Sequence, residues 1–539
     1  MVLSAALVAA ACGGGGSEGG SPSEGNGEDA GKPTPGGTVI YGLEAENDEG
    51  WCLPEAQLAI SGIQVARTIY DTLTAPNEDG EYVPFLAETV TPNATFDSWD
   101  IKLREGVKFH DGTDLTAEVV KNNLDAFRGQ YEARKPLLFI FVFSNIDTVE
   151  VKDPLTVTVT TKTPWPALPA ALFGSGRIGI SAQAQLDDAE TCDRNLIGTG
   201  PFKFEEWNQN ESFKAVKNPD YWQKDADGVQ LPYLDAIEFQ PRVDPSSRIN
   251  GLLSDELQMI HVSAGESIEQ LRLETDAGRI RSFESQQFPE VSFGQFNTSV
   301  EPFNNKNARL AVTYGVDMPT FNKVRNLDIL TNANGPFGPG NMGYLEDTGY
   351  ETTDMDKAEE YLAAYKAETG KDLEFTLLST NDEATMASVQ LVQQMGEKAG
   401  IKINIRSMSQ SELIDVAIAG TFQVMVFRNY PGGDPDTQFN WWTNGSPVNF
   451  ARINDDVLTG LMEEGRVTSD KAARTKIYED VNKRFASEAY SLWLQWTMWD
   501  IGMRTDVFGE LGPDLPDDGG KPFPGLATGH PVSGIWNKQ

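Results

Sequence analysis

The sequence predicts an α/β protein built from more than one lobe, on three observations. Its 539 residues exceed what a single hydrophobic core usually organises. Hydrophobic residues at 39% and aromatics at 10% are enough to fill proper cores. A β-α-β-α-β run fills residues 372–429, where strand and helix periodicities alternate.

The chain opens MVLSAALVAAACGGGG. The apolar run from Val2 to Ala11 is about half of the roughly 20 residues a bilayer span needs. That length suits the apolar region of a signal peptide, and the small residues Ala9, Ala10 and Ala11 before Cys12 resemble a bacterial lipobox. Residues 1–12 are therefore expected to be a signal peptide and lipobox, with Cys12 the lipidated residue. Residues 13–36 are mostly Gly, Ser, Pro, Glu and Asn, which cannot bury apolar surface. They read as a disordered tether with a root-mean-square span of about 27 Å.

The net charge is −37, from 43 basic and 80 acidic residues. Such a surface repels phosphates, which excludes nucleic acid as a partner. Besides Cys12 the chain has only Cys52 and Cys192. In an extracytoplasmic chain that pair leaves a disulfide and two buried thiols as alternatives.

The folded body begins at residue 37 with GGTVIYGLEAE, a short β-rich segment. IQVARTIYDTLTAP follows, with Ile63, Ala66, Ile69 and Tyr70 at helical spacing. A β-rich section runs from WDIKLREGVKF to TVEVKDPLTVTVTTKTPW, and the strict alternation of TVTVTT predicts a half-buried strand. In the later half, DLEFTLLST, IKINIRSM and FQVMVFRN read as strands. Between them, EATMASVQLVQQMGEKAG predicts a helix with Ala387, Leu391, Met395 and Ala399 on one face, ended by Gly400. SQSELIDVAIAG opens with a capping box, Ser409 to Glu412, and closes at Gly420. These strands should be parallel, with right-handed crossovers.

That arrangement locates a site. In open α/β sheets ligands sit beyond the carboxyl ends of the strands. The segment leaving FQVMVF at that end is RNYPGGDPDTQFNWW. Period two puts Val424, Val426 and Arg428 on one strand face. Arg428 through Trp442 therefore read as a binding-cleft wall; the alternative is a surface loop with a packed tryptophan pair.

Catalytic patterns are missing from the sequence. The histidines His110, His261 and His530 are scattered, without metal-ligand spacing. There is no GxSxG elbow, Walker A loop or CxxC pair. GSGRIG, Gly174 to Gly179, matches a dinucleotide fingerprint but lacks the preceding strand and the later acid. DADG, Asp225 to Gly228, fails the calcium-loop pattern because Gln223 and Leu234 occupy ligand positions. Asp434 and Asp436 in GDPD are candidate hydrolase carboxylates, against the simpler reading of a solvated turn. The expectation is a protein that is not an enzyme, with no cofactor, metal or catalytic residue.

Several stretches together resemble one family. WDIKLREGVKFHDGTDLTAEVVKNNLDAF (99–127), LIGTGPFKFEEW with NPDYW (196–222) and FGQFNTSVEPFNNKNARLAVTYGVD (293–317) occur in order, followed by GIKINIRSM and GGDPDTQF. They resemble the family 5 bacterial extracellular solute-binding proteins, the peptide and nickel receptors of ABC importers. In FHDGT, Asp111-Gly112 predicts a tight turn before a helix begun at Thr116. In GTGPF, Gly198, Gly200 and Pro201 allow a turn against the sheet. Both read as scaffold.

The resemblance implies a two-lobed periplasmic-binding-protein-like fold (class II), with a discontinuous lobe I carrying an inserted subdomain. Lobe I would take 37–84 and 191–291, the inserted subdomain 85–190, lobe II 292–490, and 491–539 the return crossing and the C-terminal part of lobe I. It implies a monomeric receptor that binds a peptide or other small solute between its lobes and presents it to ABC permease subunits. The protein would be lipid-anchored at the outer face of the cytoplasmic membrane, periplasmic where an outer membrane exists.

In peptide receptors of this family an aspartate four residues before the proline of the DP or EP dipeptide binds the peptide amine. Here Pro435 is that proline, and Pro431 stands at the aspartate position. The family's pocket tryptophan, seven residues before the proline, is Arg428. An arginine can hold a carboxylate bidentately. Arg428 is therefore expected to bind an anionic group of the solute. Asn429, Tyr430, Asp434, Trp441 and Trp442 are expected beside it. Nickel is disfavoured by the few histidines. The rival readings are an anchored extracellular hydrolase using Asp434 or Asp436, and a solute receptor for a membrane sensor.

Overall fold

The computed structural model describes residues 31–47, 50–526 and 529–538. Cys12, the expected lipidation site, and the tether through residue 30 lie outside the described residues.

Two large sheets form the two lobes. The lobe I sheet has seven strands in the order Arg281–Ser285, Trp499–Met503, Met259–Val262, Thr38–Leu43, Ala236–Pro241, Ser212–Lys217 and Phe202–Asn208. Thr38–Leu43 runs parallel to both of its neighbours. The lobe II sheet has six strands, ordered Thr331–Asn332, Ser491–Trp496, Val291–Phe296, Val424–Asn429, Glu374–Thr380 and Lys402–Met408. Within it Glu374–Thr380 pairs in parallel with both Lys402–Met408 and Val424–Asn429, as the β-α-β-α-β run requires. A separate four-stranded antiparallel sheet, residues 87–161, makes up the inserted subdomain. Its strand Thr156–Thr161 buries every second residue, following the alternation of TVTVTT.

Local rules explain the helices of lobe II. The Ser409 hydroxyl accepts the Glu412 amide at 3.2 Å and starts the helix Gln410–Ala419, which Gly420 ends with φ 66°. The helix Glu383–Lys398 buries Val389, Val392 and Met395, with Ala399 behind them, against Phe375, Leu377 and Ile403. Ala387 and Leu391, expected on that face, are only half-buried. A strict spacing of four drifts off a stripe of 3.6 residues per turn, so the core face follows a mixed spacing of three and four.

The quoted family blocks are scaffold. Thr116 caps the helix Ala117–Phe127 by accepting the Val119 amide at 3.4 Å. The Gly200 amide donates to the Ile69 carbonyl at 2.9 Å. A Cβ on Gly198 would lie 2.0 Å from that carbonyl oxygen, so no larger residue fits where the turn meets the first helix.

The inserted subdomain shares a core with lobe I. Ile101 and Val159 of the insert belong to one buried cluster with Tyr41, Ile63, Phe202 and Ile237. Cys52 and Cys192 are joined by a disulfide across a sequence separation of 140 residues. It ties the two lobe I segments that flank the insertion.

The chain crosses between lobes twice, side by side. Outward, Arg281–Ser285 of lobe I continues through 286–290 into Val291–Phe296 of lobe II. On the return, Ser491–Trp496 still pairs with Val291–Phe296 in lobe II, while Trp499–Met503 pairs with Arg281–Ser285 in lobe I. The return crossing is thus Thr497–Met498, and the strand from 491 to 496 belongs to the lobe II sheet.

Candidate functional site

Glu290 stitches the two crossings together. Its carbonyl accepts the Thr497 amide at 2.8 Å, and its carboxylate accepts the Trp499 indole N–H at 3.0 Å. The crossings are therefore joined into one floor between the lobes, reached by the strand ends that carry Glu44 and Arg428.

Arg428 reaches this floor from lobe II. On the strand Val424–Asn429, Val424 and Val426 pack into one lobe II core, and Met425 and Phe427 into another. Arg428 extends the Val424–Val426 face beyond that core, as period two predicts. Its guanidinium lies 3.1 Å from the carboxylate of Glu44, which follows the first strand of lobe I, and 3.7 Å from that of Glu290. It also sits over the Trp499 ring, 5.1 Å from the centroid. Although enclosed between the lobes, the Arg428 side chain keeps 35% of its surface open.

The electrostatics follow from this placement. Burial works against the Arg428 charge, but Glu290 and Glu44 outweigh it and hold its pKa above the ordinary arginine value. Burial pushes the Glu290 carboxyl up; Arg428 opposes that rise and Glu44 adds to it. Arg177 lies near Glu290, and Asp382, at the carboxyl end of Glu374–Thr380, lies near Arg428.

The other expected residues divide. Tyr430 is buried close to Glu290 and Tyr82, and its hydroxyl has no hydrogen-bond partner among the described residues. The Asn429 amide donates to Gln438 Oε1 at 2.5 Å. Asp434 is held by both Nη atoms of Arg474, at 2.7 and 2.8 Å, and caps the turn Pro435–Gln438. Trp442 is buried between Phe337 and Phe485, so its ring fills the lobe II core and does not line the cleft. Trp441 is half-buried against Phe450, in a seam that Leu138 and Phe141 of the inserted subdomain also enter.

The two acids of the hydrolase reading, Asp434 and Asp436, are both engaged by arginines. Asp436 accepts from Arg466 at 2.8 and 3.1 Å and from the Trp165 indole at 2.6 Å. Its bond to Trp165 joins the 430–442 loop to the lobe I side. Gly433 makes a second such contact, its amide donating to the Tyr82 hydroxyl at 3.0 Å. A Cβ on Gly433 would lie 2.9 Å from the Gly80 carbonyl oxygen, so the loop needs glycine for this approach.

Sequence reasoning missed Glu44 and Glu290, because lone glutamates in an acidic chain carry no local signal. Trp499 joins them, its ring bearing Arg428 on the cleft floor. Two of the histidines taken as scattered converge beneath the floor: the Tyr41 ring contacts both His261 and His530, each at 5.7 Å. His261 packs edge-on against Trp499, and its Nε2 accepts the Glu44 amide at 3.3 Å. Burial pushes both imidazoles down, His530 to about 4, so they are neutral supports at pH 7. Among the described residues no three His, Cys, Asp or Glu side chains are grouped to hold a metal ion.

Comparison with known proteins agrees with this architecture. The glutathione-binding protein GsiB of Pectobacterium atrosepticum is 27% identical over 440 residues, covering 79% of this chain and 82% of its own. The structure of the periplasmic binding protein AgaA of A. tumefaciens R10, in complex with agropinic acid, superposes with a TM-score of 0.79 at 25% identity, covering 93% of this chain and 99% of AgaA. The oligopeptide-binding protein AppA of Bacillus subtilis, in complex with a nonapeptide, shares the fold with a TM-score of 0.79 at 21% identity, over 94% of this chain and all (100%) of AppA. The model of the family described as bacterial extracellular solute-binding proteins, family 5, matches residues 81–450. With most of the chain matched and its two lobes meeting over a charged cleft, this protein belongs to the family 5 bacterial extracellular solute-binding proteins.

Proposed function

We propose that this chain is the receptor of an ABC importer, a monomer held at the outer face of the cytoplasmic membrane by lipid on Cys12. It captures a peptide or related small solute between its lobes, with Arg428 receiving an anionic group. The observation that carries this reading is the contact of Arg428 with Glu44: a lobe II cation meets a lobe I acid on the cleft floor. The Tyr430 hydroxyl, close to Glu290 and unpartnered among the described residues, supports it. A solute touching both lobes binds the closed arrangement better than the open one, and that difference drives closure for presentation to the permease. The relatives' solutes named above, glutathione, agropinic acid and a nonapeptide, support the size class.

Titration calorimetry with glutathione and with tripeptides tests the site. Arg428→Ala should weaken the best of these by about ten-fold or more; unchanged affinity removes Arg428 from the site. Labelling cells with a palmitate analogue tests the anchor, since Cys12→Ser should abolish incorporation. Equal labelling of the variant rules the anchor out.

A further inference from the structure

We propose that the solute enters the Arg428 cluster through an α-amino carboxylate, an ammonium and a carboxylate on one carbon, with Glu44 receiving the ammonium. This inference rests on the reading of the interlobe cleft as the solute site, and it narrows the solute class.

Arg428 is not a bare cation awaiting an anion. Two carboxylates approach its guanidinium, Glu44 at 3.1 Å and Glu290 at 3.7 Å, and Asp382 lies within electrostatic reach. Two further cations lie near the cluster, Arg177 beside Glu290 and Arg248 beside Glu44. Within 4 Å of the Arg428 guanidinium, two carboxylates thus face one cation. A solute bringing only an anion would have to displace an acid from Arg428 and then lie beside it, a like-charge contact in a partly dehydrated site. A solute bringing a cation as well relieves that contact.

The two acids are not equally free to exchange. Glu290 is anchored through its backbone to Thr497 and through its carboxylate to Trp499. The Glu44 carboxylate is bonded to Arg428 across the lobe gap, and its side chain keeps 21% of its surface open. Glu44 is therefore the group that swings. A carboxylate takes its place on Arg428, and the released Glu44 takes the ammonium. The Tyr430 hydroxyl supplies a further donor for a carboxylate oxygen, and the Trp499 face forms the floor.

Spacing decides the class. Glu44 starts 3.1 Å from the Arg428 guanidinium, so the carboxylate that displaces it and the ammonium it then takes must also be close. An α-amino carboxylate has them one carbon apart. A linear α-linked tripeptide separates its termini by about 10 Å when extended, at roughly 3.3–3.6 Å per residue. It cannot satisfy Glu44 and Arg428 from one point.

Calorimetry on the full chain with glutathione, its α-linked isomer Glu-Cys-Gly and N-acetylglutathione tests this. Glutathione carries both charges on one carbon through its γ-linkage; the isomer and the acetylated form do not. Glutathione should bind at least ten-fold more tightly than either. Glu44→Gln should remove the discrimination between glutathione and N-acetylglutathione. If the α-linked isomer binds as well as glutathione, the inference falls and the receptor reading stands. If none binds, native mass spectrometry of the purified protein decides. A retained solute bearing an α-amino carboxylate supports the inference, and one lacking it overturns the inference alone. An absence of any retained small molecule overturns both.

Discussion

Glu44 of lobe I and Arg428 of lobe II meet at 3.1 Å across the interlobe gap, and 21% and 35% of their side-chain surfaces stay open to water. A pair so exposed stabilises the fold little, typically about 0–1 kcal/mol, because water and salt screen it. Glu44→Gln is therefore expected to change the free energy of urea unfolding by less than about 1 kcal/mol, with the residual difference vanishing in 1 M salt. A loss above roughly 2 kcal/mol would make the pair a structural ion pair, and Glu44 could not then exchange partners with a solute.

A second acid, Asp500, gives the protein a pH signature. It stands on the return strand one rung from the crossings, opposite Glu284 in the ladder. Its carboxylate is fully buried. Burial, then Glu284, pushes its pKa up to about 8; Arg272, which is bonded to Glu284 at 2.6 and 2.9 Å, and Ser282 oppose the rise. Between about pH 4 and 8 the folded chain keeps a proton that the unfolded chain has released. Stability from this group therefore falls as pH rises through that window and levels off above it. Asp500→Asn should flatten the slope, and its advantage over the native chain should be greatest at pH 8 and above. Urea midpoints of both proteins from pH 5 to 9 check this. Their difference separates Asp500 from the buried histidines, whose lowered pKa values act with the opposite sign at lower pH. Parallel curves would mean that Asp500 is already ionised.

How much of this could be read from the chain depended on whether the cause was local. The β-α-β-α-β run, its caps at Ser409 and Gly420 and the face shared by Val424, Val426 and Arg428 follow from periodicity and capping within a few residues. The position of Arg428 at the carboxyl end of its strand followed from strand direction alone. Its partners did not, because Glu44 is 384 residues away and only the closure of two sheets brings it near. The roles of Asp434 and Trp442 were obscured for the same reason. Arg474 and Phe485, which engage them, lie on a later helix whose register against the loop no local pattern reveals. The convergence of His261 and His530 on Tyr41 is likewise a product of tertiary packing.

The disulfide should matter in proportion to the chain it closes. Cys52 and Cys192 are 140 residues apart, bracketing the whole inserted subdomain. In the chain-entropy model such a loop restricts the unfolded state by about 5 kcal/mol, and removing native disulfides commonly costs 2–5 kcal/mol. The double variant Cys52→Ser, Cys192→Ser is expected to lose roughly that range in guanidinium unfolding of the lobe I transition. Reducing agent should shift the native protein by the same amount and leave the variant unmoved. Equal stability of the two would mean that the shared core of Ile101, Val159 and Tyr41 fixes the insert without the bridge.

Asp436 separates the receptor from the hydrolase most sharply. Its carboxylate is almost fully enclosed, with 2% of its side-chain surface exposed, and it satisfies Arg466 and the Trp165 indole at once. Arg466 in turn stacks on Phe439 at 3.4 Å. Asp436→Asn keeps the shape but leaves a buried guanidinium without its counter-charge, which costs about 3–5 kcal/mol when a buried pair is broken. The variant should therefore unfold at markedly lower urea. Restoring neutrality with Arg466→Met in the same chain should recover part of the loss, since a buried pair replaced by apolar groups is often neutral to stability. A catalytic carboxylate would behave differently. Its amide variant would keep or gain stability while abolishing turnover of peptide or glycan substrates, and that result would return the hydrolase to consideration.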